Sequence, residues 1–337
     1  MTEPAPVVNE PQAIDAVVAW VDGDDPKHRA KLDRHLATVG RRPSSARPTR
    51  FRSVGEVDYC ITSILRFAPF VRRIHVVTDD QRPPIFGAAE RWTPALRDKL
   101  VLVDHREAFA GYEDCLPSFN SLSIATVLYR IPGLAERFVY FNDDVMLIKP
   151  ITVEAFFRNG APVLRGQFEP LPERRFARRL RALWRKVSKP VPGAVRAGVA
   201  DAQARAAQMA GFDDRFLHMG HNPHPVRRET LERFFASHED LLRRNLSFPL
   251  RDASQFSAVA LANHLELRAR SAVVVPDDAS LYLKPASRSN TMSQVARAEH
   301  DARKIFTCIQ SLDEADEPMQ QQVLGWLDRA IGRSPPA

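Results

Sequence analysis

Four short runs of β-branched and aromatic residues, each running out into Asp, Asn or Gly, constrain the fold of this chain more than any other feature. They are Ile14–Val21 (IDAVVAWV), Arg73–Thr78 (RIHVVT), Lys99–Asp104 (KLVLVD) and Arg137–Phe141 (RFVYF). Apolar runs of this length predict buried strands. Between them Val57, Ile61, Ile64, Leu65 and Ala68 recur at helical spacing until Pro69, and Ile124, Val127, Leu128 and Ile131 do so until Pro132 and Gly133. The alternation predicts an α/β fold on an open, mainly parallel sheet, and such sheets bind ligands outside the C-terminal ends of their strands.

The 337 residues suffice for one substantial core and a smaller lobe. Residues 1–13 read as a disordered N-terminal tail, 14–160 as the α/β core, 161–312 as a smaller helical portion completing the site, and 313–337 as a C-terminal helix and tail. Helical patterns at 228–246 and 252–268 fall in the third part. Cys60, Cys115 and Cys308 are an odd, widely spaced set, which indicates neither a disulfide framework nor a cysteine zinc site. No apolar run reaches the roughly 18 residues of a membrane span, and the first residues are acidic and proline-bearing rather than signal-like. A cytoplasmic location is the expectation.

The strand ending at Phe141 is followed by Asn142, Asp143 and Asp144. Two adjacent carboxylates at a strand exit can hold a hard divalent cation against a substrate diphosphate. Asp pairs also cap helices and make turns, so the pair needs its neighbours to be read as a site. A net charge of +7 and a pI near 9.6 suggest polyanionic partners. Part of that charge sits in Glu173–Lys189, where eight Lys or Arg accompany one Glu with Phe176, Leu180, Leu183, Trp184 and Val187 at helical spacing. That is a cationic amphipathic helix, either a solvated face or a contact with an anionic acceptor or a membrane surface.

Four ordered blocks give these residues a context. The first is Ile14 through Pro26, with Trp20, Asp22, Gly23, Asp24 and Asp25 at its exit. The second opens on Gly55 and Glu56, passes through Phe67 to Gln81 with Thr78, Asp79 and Asp80, continues at Pro117 to Ser121, and ends on Asn142, Asp143 and Asp144. The third is His221-Asn-Pro-His224 with Arg251 downstream, and the fourth is Arg303 to Ser311. In these blocks the chain resembles the Stealth proteins, sugar-1-phosphate transferases of bacterial capsule synthesis, whose relatives include the N-acetylglucosamine-1-phosphotransferase of animals.

The resemblance implies a nucleotide-sugar-binding fold of the glycosyltransferase-A kind. It also implies a reaction in which an acceptor hydroxyl attacks the sugar-proximal phosphorus of a nucleotide-sugar, a UDP-sugar by preference. Sugar-1-phosphate is transferred, a phosphodiester forms and nucleoside monophosphate leaves. On this reading Asp143 and Asp144 hold Mg²⁺ or Mn²⁺, Asn142 orients them, and His221 takes the hydroxyl proton. Arg251 clamps a phosphate. Trp20, Asp22, Asp24, Asp79, Gln81 and Asn120 bind donor, while His224 and Lys284 are further substrate contacts. Three positions depart from the pattern: Asp58 and Thr62 stand where the family commonly has Arg, and Ala125 stands where the family's active site has Glu. Either the role has moved elsewhere in this chain or the chain is impaired there.

Two other classes account for part of the sequence. An ordinary glycosyltransferase uses a similar strand and carboxylate pair but transfers sugar without phosphate. A basic polyanion- or membrane-binding protein explains the charge and residues 173–189 but not carboxylates gathered at strand ends, and the sequence holds no aromatic-interleaved nucleic-acid motif. The partners expected are therefore a nucleotide-sugar donor and a glycan acceptor, with no nucleic acid.

Overall fold

The computed structural model describes residues 13–40, 43–47, 51–174, 198–287 and 289–333. The basic segment after Arg174 lies outside the described residues. Among the described residues twelve strands form three sheets: β1 Ile14–Ala19, β2 Val71–Thr78, β3 Leu100–Asp104, β4 Arg137–Asn142, β5 Val145–Leu147, β6 Phe157–Arg158, β7 Ala161–Pro170, β8 Arg215–Met219, β9 His224–Arg227, β10 Val273–Val275, β11 Ser280–Leu283 and β12 Phe306–Ile309. The largest runs β3-β2-β1-β4-β9, with the first four strands parallel and β9 antiparallel to β4. All four strands expected from the sequence are present, and the open, mainly parallel α/β sheet is the observed architecture.

Along β1 and β4 alternate side chains enter different cores. Ala16, Val18, Val139 and Phe141 pack on one face with Val57, Ile61, Ile64 and Trp326. Val17, Phe138 and Tyr140 pack on the other with Val127, Leu128, Val259 and Leu261. A sheet covered on both sides requires the near-continuous apolar runs that mark these strands. At the N-terminal edge, buried Asp15 ties the sheet together: Arg72 donates to it at 2.9 and 2.6 Å and the backbone N–H groups of Arg73 and Ala135 at 3.1 and 2.8 Å.

Helix α1, Pro26–Val39, was not legible in the sequence pattern. Its N-cap Asp25 accepts from the N–H of His28, Pro26 opens its first turn, and Leu32 and Leu36 are its buried stripe. Helix α2, Glu56–Phe67, follows the expected amphipathic face and ends at Ala68. The pattern at 228–246 is two helices, Arg228–Ala236 and Glu239–Leu246. That at 252–268 becomes helical only at Ala258, after Ser257 caps it. The segment expected to be mainly helical also supplies the strands β7 to β12. Among the described residues no helix is long and apolar enough to cross a membrane, and the helix Glu317–Ala330 lies near the C-terminus.

A candidate active site at the sheet switch point

The strand order reverses beside β1: the chain goes from β1 to β2 and β3 on one side, and β4 lies on the other. A crevice forms at such a switch point, outside the carboxyl ends of the strands. Ala19 pairs with Asn142 there, so the exits of β1 and β4 are neighbours. Asp143 and Asp144 form the two-residue turn between β4 and β5, where the chain leaves the large sheet for the sheet β11-β12-β5.

Both carboxylates are half-buried. Burial pushes the Asp143 carboxyl up strongly, and the charges of Asp144 and Glu56 push it further. Burial raises Asp144 as well, against a hydrogen bond from the Cys308 thiol that lowers it, with Glu56 again raising it. The thiol Sγ lies 3.5 Å from Asp144 Oδ2, and Ile309 N donates to the Asp144 carbonyl at 3.0 Å. Asp144 is thus held at backbone and side chain by β12. Two desolvated carboxylates that repel each other are the donor chemistry a hard cation relieves, so the pair fits Mg²⁺ or Mn²⁺. Among the described residues no group of three or more His, Cys, Asp or Glu converges into a protein-only metal cage. Further ligands to such a cation would come from phosphate and water, as Mg²⁺ prefers.

Cationic and imidazole groups approach from the antiparallel edge. Tyr140 pairs with His224, and Asp143, Arg251 and Asp144 all act electrostatically on the Tyr140 hydroxyl. Arg251 Nη2 donates to Ser121 Oγ at 2.5 Å. Burial lowers the pKa of half-buried His221, helped by Lys284, His218 and Arg251 and opposed by Asp277. Burial brings His224 down to about 4, and the nearby His221 lowers it further. Lys284 also acts on Cys308. Arg251 and Lys284 thus act electrostatically both on His221 and on residues beside the carboxylate turn.

At the β1 exit, Trp20 is buried with its indole Nε1 unpartnered. Asp22 is half-buried, and the Gln81 amide holds its backbone from both sides: Asp22 N donates to Gln81 Oε1 at 2.9 Å and Gln81 Nε2 donates to Asp22 O at 2.8 Å. Gly23 N donates to Phe51 O at 2.7 Å, and a Cβ at Gly23 would lie 2.4 Å from that of Phe51. Only glycine lets the two segments approach so closely.

Several expected site residues have partners within the fold. Asn120 is fully buried as an N-cap: its oxygen accepts from Leu122 N, and its nitrogen donates to Phe248 O and Gln255 Oε1. Its polar groups are spent inside the fold. Asp79 pairs with Lys31 of α1 at 2.8 Å beside His28, which fastens α1 to the β2 exit. Gln81 positions Asp22 with both amide atoms. Asn142 accepts from the Tyr140 hydroxyl at 2.8 Å, and the side chain that reaches Asp144 is that of Cys308. Asp24 is largely exposed, 4.0 Å from Arg52.

Glu56, Cys308 and Tyr282 were not singled out from sequence as site residues. Glu56 is buried, accepting from Ser53 Oγ at 2.9 Å and Val54 N at 2.6 Å. It stands beside the Gly55 turn in sequence, but only the packing of α2 against β5 brings its charge to the carboxylates. Ala125 is buried one helical turn beyond Ser121, the residue that receives Arg251. The position therefore belongs to the site's helix, although its methyl supplies no polar group.

Comparison with known proteins bears on this geometry. Residues 12–38 match Stealth protein CR1, conserved region 1, and residues 50–163 match Stealth protein CR2, conserved region 2. The chain carries Stealth conserved regions 1 and 2. It is 32% identical over 259 residues to the exopolysaccharide phosphotransferase SCO2592 of Streptomyces coelicolor, covering 74% of this chain and 25% of that one. It is 40% identical over 164 residues to the capsular polysaccharide phosphotransferase WcwK of Streptococcus pneumoniae, covering 48% of this chain and 47% of that one. The chain thus spans a quarter to about half the length of these relatives. The Stealth regions hold Trp20, Asp22, Ala125 and the Asp143–Asp144 turn; His221, Arg251 and Lys284 follow them in the chain. Among solved structures, an active-site mutant of LgtC aligns at 13% identity and a TM-score of 0.41 over 88% of this chain and 86% of that one. Mouse xyloside xylosyltransferase 1 aligns at 10% identity and a TM-score of 0.37 over 88% and 97%.

Proposed function

We propose that the chain transfers sugar-1-phosphate from a nucleotide-sugar to an acceptor hydroxyl in capsular or exopolysaccharide synthesis, releasing nucleoside monophosphate. The observation that supports this reading is the carboxylate turn at the switch point, with Arg251 and Lys284 acting electrostatically on His221 and on Tyr140 and Cys308 beside the turn. Phosphoryl transfer spreads negative charge over oxygens, so it calls for positioning, cations and a proton acceptor more than for covalent chemistry. A divalent cation on Asp143 and Asp144 would neutralise diphosphate charge. Arg251 presents a planar fork suited to phosphate oxygens, Lys284 adds a second positive charge, and Trp20 and Asp22 stand where a nucleoside can lie at the β1 exit.

His221 is the proton acceptor in this scheme. Its lowered pKa keeps the imidazole neutral near pH 7, ready to take a hydroxyl proton. His224, held neutral by burial beside it, adds no charge that would compete.

The names of the Stealth relatives support phosphotransfer in polysaccharide synthesis, and product analysis tests it. Incubated with a panel of UDP-, GDP- and ADP-sugars, a glycan acceptor and Mn²⁺, the chain should release nucleoside monophosphate and yield a phosphodiester seen by ³¹P NMR. Stoichiometric nucleoside diphosphate with a phosphorus-free product would replace this reading with ordinary glycosyl transfer and leave the carboxylate site in place.

A further inference from the structure

We infer that Tyr282 is a positioning residue for His221: its ring is the surface that fixes the plane from which the imidazole meets an acceptor hydroxyl. This role rests on the reading of His221 as the proton acceptor. His221 sits on the short connection between β8 and β9 and belongs to no helix or strand, so its backbone alone does not fix the ring. The two ring centroids are 4.8 Å apart and the planes differ by 6°. That is a face-to-face stack, with one partner carried on a strand.

Tyr282 is itself anchored. It lies in β11 opposite Cys308 of β12, the residue whose thiol reaches Asp144. Its hydroxyl donates to Gln310 Oε1, and the Lys284 ammonium lies 5.2 Å from the centre of its ring. Two adjacent strands therefore carry the support of the histidine and the support of the metal-binding carboxylate. Their relative position is set by sheet hydrogen bonds rather than by loops.

The approach to β11 clamps the other side of the histidine loop. Asn222 Nδ2 donates to Asp277 Oδ2 at 3.1 Å, and Ser280 Oγ donates to Asp277 Oδ1 at 2.6 Å. Gly220 packs so closely that a Cβ there would lie 2.2 Å from Asp277 Oδ2. The charged and titratable groups acting on His221 are Lys284, His218, Asp277 and Arg251, with His224 its neighbour across the β9 entry. Opening the stack would admit water to the imidazolium face and relax the burial that disfavours the charged form.

The full chain, labelled with ¹⁵N-histidine and assigned through His221→Gln, reads this directly. Tyr282→Leu should abolish the ring-current shift of the His221 imidazole, raise its apparent pKa and lower kcat for nucleoside monophosphate release about 10- to 100-fold, since small misplacements of a reacting group cost that much. KM for the nucleotide-sugar should change little. Tyr282→Phe keeps the stack and should restore shift, titration and rate. Gly220→Ala provides a second perturbation with Tyr282 intact and should produce the same displaced, higher-pKa imidazole. An unchanged His221 spectrum and titration in folded Tyr282→Leu, or a Phe variant as impaired as the Leu variant, would overturn the positioning role. Full turnover in His221→Gln would overturn the proton-acceptor reading instead, and the NMR result separates the two failures.

Discussion

The thiol of Cys308 donates a hydrogen bond to Oδ2 of Asp144 across 3.5 Å. The two residues are far apart in the chain and meet because β12 runs antiparallel to β5, pairing Cys308 with Val145. A protonated thiol is the right partner for a carboxylate: burial, the charges of Asp144 and Asp143 and this hydrogen bond all keep the Cys308 proton in place.

Removing that donor should weaken metal binding. In Cys308→Ala the Asp144 carboxylate loses a hydrogen bond that lowers its pKa, so protons compete better with Mn²⁺. Because thiols are weak donors, the affinity loss should be at most about 10-fold, larger at pH 6 than at pH 8, and Cys308→Ser should recover most of it. Calorimetric Mn²⁺ titrations at the two pH values check this.

Activity and stability should part company at the carboxylate turn. The Asp143 and Asp144 pKa values are raised in the fold, so ionising them costs stability once the pH exceeds the unfolded value, near 4. Asp143→Asn with Asp144→Asn removes that cost. The double variant should melt higher than the parent at pH 7 without metal, gain nothing from Mn²⁺ where the parent does, and release nucleoside monophosphate at least about 100-fold more slowly. Thermal unfolding with and without Mn²⁺, beside a turnover assay, reads all three.

Asp15 should behave in the opposite sense. Burial pushes its pKa up, but hydrogen bonds from His75, Arg72 and Ala135 outweigh that and bring it down to about 2. The stabilisation is present above the unfolded pKa and is lost as the pH falls from about 4 through about 2. Asp15→Ala removes the carboxylate that buried His75 and half-buried Arg72 share and should cost on the order of 3–5 kcal/mol in urea unfolding at pH 7. Acid unfolding of the parent should steepen in that pH window.

The Lys284 charge should be visible in the pH dependence of the rate. It opposes the imidazolium form of His221. Lys284→Met therefore raises the His221 pKa and moves the acid limb of kcat/KM to higher pH, so the variant loses more rate at pH 6 than at pH 8. A limb that stays in place would remove His221 from the titrating step.

At position 125 the expected gain has a cost. Ala125→Glu places a carboxylate on the helical face shared with Ser121 and Arg251, and a positioned acid–base group contributes on the order of 10²-fold. Turnover should rise substantially while thermal stability falls, because the methyl it replaces is buried in an apolar cluster. Unchanged or lower turnover would mean that the chain does not use this position.

What could be read from the sequence was local. The four strands and α2 announce themselves because burial on both sheet faces or along one helix stripe imposes an apolar period on consecutive residues. The strand exits that follow, Trp20, Asp22 and Asp143–Asp144, are fixed by the same chain direction that puts ligands at the carboxyl ends of a parallel sheet. Helix α1 escaped because charge dominates its surface and only Leu32, Leu36 and His28 are buried within it.

The tertiary structure decided which polar residues are tools and which are fasteners. Asn120 and Asp79 look like site residues in the sequence, yet the first satisfies a helix N-terminus and the second an ion pair, because buried polar groups must find partners inside the fold. Conversely, Glu56, Tyr282 and Cys308 carry no local signal of function. They reach the carboxylate turn and His221 only through the packing of α2 on β5 and the pairing of β5, β12 and β11. Sequence period encodes burial within one element, whereas meetings between distant elements arise from sheet register and packing, which no single segment contains.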